Sequence, residues 1–67
     1  MNALLQFFAY EHLRDQALRD TSKRFHDLAH ELAATLPANA ESTTALRKLL
    51  EAKDCAVRAV LFKQPGA

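Results

Sequence analysis

His26 and His30 stand four residues apart. On a helix that spacing turns both imidazoles to one side, where they could share a divalent metal ion. No third ligand stands at an obvious spacing: HExxH is absent, and His12 joins only if the N-terminal segment folds back. Asp27 and Glu31 beside them make a solvent-facing pair of imidazoles the plainer expectation, with no metal and no cofactor. Cys55 is the sole thiol, set mid-helix among Ala, Val and Leu, where it serves as a small hydrophobe. One cysteine leaves no intramolecular disulfide and gives a structural zinc no pair of thiolates. There is no GxSxG elbow and no glycine-rich phosphate loop, since the single glycine is Gly66. Nucleophilic and nucleotide-cleaving chemistry lack their usual parts, and the expectation is a protein that is not an enzyme.

The stretch "FFAYEHL", residues 7–13, gathers Phe7, Phe8 and Tyr10, although the whole chain has only four Phe, one Tyr and no Trp. Lys23 and Arg24 follow, and Arg47, Lys48 and Arg58 decorate the second half. Rings beside cations are what a protein needs to hold a nucleotide, because bases stack on rings and phosphates accept charge-assisted hydrogen bonds. Each stack is worth about 1–3 kcal/mol. Alternatively the three rings plug the open end of a helical hairpin, and the cations merely solvate helix faces.

The elements that would carry these residues are helical. The breaker is "LPANAES", residues 36–42, where Pro37 ends one periodic segment and Asn39 or Ser42 can cap the next. Before it, Leu18, Phe25, Leu28, Ala29, Leu32 and Leu36 recur at helical spacing, with His26, Asp27, His30 and Glu31 turned mostly outward. After it, Leu46, Leu49, Leu50, Val57, Val60 and Leu61 form a second stripe. The pattern predicts one all-α domain over residues 1–67. It comprises an aromatic segment at 1–13, a helix at about 14–35, a turn at 36–41 and a helix at about 42–63. "KQPGA" at the C-terminus should stop the second helix and fray.

Ala45, Ala52 and Ala59 are spaced by seven, with Ala56 on a neighbouring ridge. This row lies beside the leucine stripe and widens the apolar surface beyond what one partner helix can cover, unless alanine is here simply as a good helix former. A chain of 67 residues, 49% hydrophobic, has little interior of its own, so the surplus surface points to self-association. Net charge is +1, too balanced for a DNA binder held by its phosphates, and no helix-turn-helix is recognisable. No apolar run approaches membrane-spanning length, and "MNALLQFF" lacks the basic start of a signal peptide, so a cytosolic protein is expected.

The second half, "LPANAESTTALRKLLEAKDCAVRAVL", resembles the hairpin domain shared by phage anti-CBASS cyclic-oligonucleotide sponges and related anti-Thoeris sponges. The matching positions are Pro37, Glu41, Thr43, Ala45, Leu46, Lys48, Leu49, Glu51, Ala52, Ala56 and Ala59. Phe8 and Tyr10 are similar to the family's Phe-x-Tyr opening, so the resemblance spans roughly residues 8–61. Two positions depart: Ala40 stands where an Arg is usual, and Cys55 where many members have Trp.

The resemblance implies a two-helix hairpin that assembles as a homo-oligomer, a hexamer in the family. It implies a job without catalysis in the cytoplasm of an infected bacterium. The protein would sequester cyclic dinucleotides such as cGAMP, so that they cannot activate a CBASS effector. Tyr10 would stack on a base with Phe8 behind or beside it, and Lys23, or else Arg24, would meet a phosphate. Arg58 is the candidate for a separate cyclic trinucleotide site, if the assembly has a second pocket. The alternative is a helical inhibitor or small regulatory oligomer that docks its apolar face on a host protein.

Overall fold

A computed structural model describes residues 2–62 as three helical pieces. They are a 3-10 helix over Asn2–Phe8, α1 over Gln16–Thr35 and α2 over Ala40–Phe62. No strand occurs among the described residues, and the all-α hairpin expected from the sequence is what forms. The expected end of the second helix at 63 and the fraying of "KQPGA" lie outside the described residues.

The helix boundaries follow from their caps. α1 starts two residues after the periodicity suggests, because Asp15 takes the cap position. Its backbone is extended (φ −75°, ψ 129°), and its carboxylate accepts hydrogen bonds from the Ala17 and Leu18 N–H groups at 2.7 and 3.3 Å. α1 stops where Pro37 disfavours a helical backbone at the residue before it. Leu36 is accordingly extended (φ −82°, ψ 144°), while its N–H closes the last turn onto the Leu32 carbonyl at 2.9 Å.

Of the two candidate caps for α2, the structure uses Asn39, so the helix starts at Ala40 and not at 42. The Asn39 side-chain oxygen accepts from the Ser42 N–H at 3.0 Å, and the Ser42 hydroxyl oxygen accepts from the Asn39 N–H at 3.0 Å. This is a capping box with serine in the place usually held by Glu or Gln. Both candidates therefore cap the helix, one from each side of the first turn.

Four residues, 36–39, join the helices, which run back along each other. The 3-10 helix folds onto both of them. Phe8, Ala29 and Leu46, one from each piece, are fully buried and form the centre of the core. Leu4, Leu5, Phe25, Leu32, Ala33, Leu49 and Leu50 pack around them. Ser22 and Ser42 are also buried, and the Ser22 hydroxyl has no hydrogen-bond partner.

Lys53 occupies a core-facing position of α2, with only 14% of its side chain exposed. Its ammonium donates to the Phe7 carbonyl at 2.8 Å. A cation at the C-terminal end of a short helix meets carbonyls that have no partner within the helix. Lys53 thus ties the 3-10 piece to the hairpin through its backbone, while Phe8 anchors it through its ring.

The Cα trace measures 42 × 23 × 15 Å, close to one helix layer with a short piece laid across it. One flank of the hairpin is covered by that piece. The other is open, with a groove of about 390 Å³ lined by Thr21, Arg24, Phe25, Leu28 and Ala56.

Candidate functional site: a row of rings beside Lys23

The chain leaves the 3-10 helix at Phe8 and turns, the Leu13 N–H reaching the Tyr10 carbonyl at 3.1 Å. That turn lays Tyr10 on α1. Its ring meets His26 edge-on, with centroids 5.0 Å apart and planes at 71°. His26 in turn lies 4.3 Å from His30, the planes tilted by 41°. Edge-to-face contacts of this kind place the positive rim of one ring on the π face of another. Tyr10 and His26 are both half-buried, so His26 is less outward than the periodicity suggests.

The charged groups follow the same flank of α1. Asp27 takes His26 Nδ1 on one carboxylate oxygen at 3.1 Å and the Lys23 ammonium on the other at 2.6 Å. The Lys23 hydrogen bond, then that of His26, holds the Asp27 carboxyl below the usual carboxylate range. Asp27 reciprocally raises the Lys23 pKa, first by its hydrogen bond and then by its charge, with Tyr10 adding a smaller share. Glu11 is also held low, chiefly by its own N–H against some desolvation, then by the Tyr10 N–H and the nearby His26 and His12.

The five sequence candidates separate. Tyr10 and Lys23 share one flank of α1. Arg24, turned about 100° further round the helix, lines the open groove with Phe25 and Leu28. Phe8 is fully buried in the core with Ala29 and Leu46, so its ring cannot stack on a ligand without the core opening. Arg58 points its guanidinium to the Cys55 sulfur at 3.3 Å. Among the described residues no hydrogen bond or ion pair joins Arg58 to Tyr10 or Lys23. The alanine row stays outside the core, with Ala45, Ala52 and Ala59 exposed and Ala56 half-buried.

An exposed lysine and an aromatic side chain on one flank can serve an anionic, planar ligand. The ammonium has three donors, and Asp27 engages one of them. The ring-and-cation pattern of the sequence does not include His26, His30 and Asp27, which complete that flank. Their spacing to Lys23 (positions 23, 26, 27 and 30) does put them on one helical side. What no spacing reveals is that Tyr10 lands there.

Among the described residues no three His, Cys, Asp or Glu side chains gather as a metal cluster, and no helix is long and apolar enough to cross a membrane. Comparison of the chain with protein-family models, with curated proteins and with solved structures gives no match.

Proposed function

We propose that this protein binds and sequesters cyclic oligonucleotide second messengers without cleaving them, as an anti-CBASS sponge in the cytoplasm of a phage-infected bacterium. The observation that carries the proposal is that the Tyr10 ring packs edge-on against His26, and Asp27, hydrogen-bonded to His26, also holds the exposed Lys23 ammonium. A cyclic dinucleotide has two bases and two phosphates about an approximate two-fold axis. An isologous interface between two copies presents each of its residues twice about the same axis. One tyrosine and one lysine per chain then supply two stacks and two phosphate contacts, which a chain of this size cannot supply alone. The open groove and the exposed alanine row offer the surface for a homo-oligomer, with six copies the state that the sequence resemblance implies. Arg58, outside the Tyr10 group, is left for a cyclic trinucleotide at a separate pocket.

Calorimetric titration with cyclic dinucleotides tests this. Messenger recovered after heat denaturation should be chemically unchanged, and linear dinucleotide appearing faster than in buffer would mark an enzyme. Tyr10→Ala and Lys23→Ala should each lose a hundredfold or more in affinity, about 3 kcal/mol, because symmetry applies every substitution twice. Wild-type affinity in both variants, still folded, would put the pocket elsewhere.

A second reading, a helical inhibitor docked on a host protein, draws on Leu28, Leu61 and Phe62, which are 41%, 57% and 64% exposed. It predicts a co-purifying host protein and no heat from any cyclic oligonucleotide.

A further inference from the structure

The His26–His30 pair is shaped by more than its spacing. Asp27 is ion-paired with Lys23 and its carboxylate accepts, so the His26 nitrogen 3.1 Å from it, Nδ1, is the donor. In the neutral ring the lone pair is then on Nε2. A carboxylate that fixes the tautomer of a histidine and leaves the other nitrogen free is the usual outer support of a metal ligand. Lys23 holds the second oxygen of that carboxylate, so the support is itself anchored.

The ring separation also fits. An ion about 2.0–2.1 Å from an imidazole nitrogen sits ~3.2 Å from the ring centroid. Two such nitrogens at a right angle on the ion put the centroids about 4.5 Å apart, and a tetrahedral angle puts them about 5.2 Å apart. The observed 4.3 Å falls well short of the tetrahedral figure and just short of the right-angle one. Square and octahedral ions such as Ni²⁺ and Cu²⁺ suit that angle better than tetrahedral Zn²⁺.

We infer that His26 and His30 form a two-nitrogen site for a divalent transition metal of the nickel and copper class, with Asp27 as the positioning residue for His26. The sequence offers no third ligand at an obvious spacing, and among the described residues none joins the pair. Water fills the remaining positions, so the ion is held reversibly and exchangeably. The site stands whether or not the chain binds a cyclic oligonucleotide.

The test is calorimetric titration of chelator-treated protein with Ni²⁺ in the absence of nucleotide. One ion per chain is expected, with no binding of Mg²⁺ or Ca²⁺, which prefer oxygen ligands. His30→Ala should weaken Ni²⁺ by at least tenfold, and because His30 is exposed this variant should keep its helix content by circular dichroism. His26→Ala should do the same, and Asp27→Asn should cost about 10–100-fold. No saturable binding by the wild type, or unchanged affinity in folded His30→Ala, would overturn the site.

Discussion

The two flanks of this hairpin are built on different terms. The covered flank is finished by a segment from the far end of the chain: Phe8 is fully buried there, and Lys53 reaches the Phe7 carbonyl across 46 residues of sequence. The open flank, with Phe25, Leu28 and Ala56 round its groove, has no segment of the described chain to finish it. The covered flank is therefore stabilised within one molecule. A second molecule that covered the open flank would add stability that varies with concentration.

The sharpest way to break this contrast is to remove the ring that closes the covered side. Phe8→Ala should cost about 3–5 kcal/mol, from lost burial and the cavity left behind. Urea unfolding followed by circular dichroism should show that loss at every protein concentration. Phe7→Ala is the control, since Phe7 is 53% exposed and should cost far less. Equal effects of the two substitutions would mean that the 3-10 helix is not anchored by Phe8.

On the open side, Ala52→Leu should leave an isolated hairpin nearly unchanged, because Ala52 is exposed. If copies meet along the alanine row, the same change overpacks the seam and weakens assembly by about 1–3 kcal/mol. Light scattering at micromolar concentration reads this directly. A monomeric mass for the wild type would remove the oligomer altogether.

Ser22 lies in the core, and its hydroxyl lacks a partner. Leaving a buried polar group unpaired is costly, so Ser22→Ala should stabilise the chain by about 1 kcal/mol. A loss of stability instead would indicate that the hydroxyl is satisfied by bound water or by a partner copy.

The smallest effect expected is electrostatic and belongs to the exposed Lys23–Asp27 pair. The folded pKa of Asp27 lies below its ordinary 3.8, so its contribution is present above that value. That contribution is lost as the pH falls through the depressed folded value. Thermal unfolding from about pH 6 down to about pH 2 should show a smaller acid loss in Asp27→Asn than in the wild type. Salt should blunt the difference, because both partners are exposed.

The hairpin itself was legible because Pro37 interrupts two periodic stripes, and periodicity reports which side of a helix is apolar. It did not report depth: Leu28 and Leu61 fit their stripes yet are exposed, while Ser22 breaks the apolar pattern and is fully buried. The gathering of rings and cations was legible as composition. Its arrangement was not, because Tyr10 reaches His26 only through the fold-back of residues 9–13, and helical spacing says nothing about a turn. Lys53 was missed for the same reason. Its partner is a backbone carbonyl, which carries no side-chain signal in a sequence.

The Lys53–Phe7 tether also sets an order of events. The two long helices meet through four residues, so their contacts close a short loop and can form early. The N-terminal piece must then find a surface that exists only once α2 has returned beside α1. Docking late, it contributes little to the barrier for folding and much to the barrier for escape. Phe8→Ala should accordingly leave the refolding limb of a chevron plot almost where it was and raise the unfolding limb by most of the lost stability. The clasp would act as the chain's last step in and its first step out, so the lifetime of the folded hairpin would depend on the stretch "FF" and one lysine.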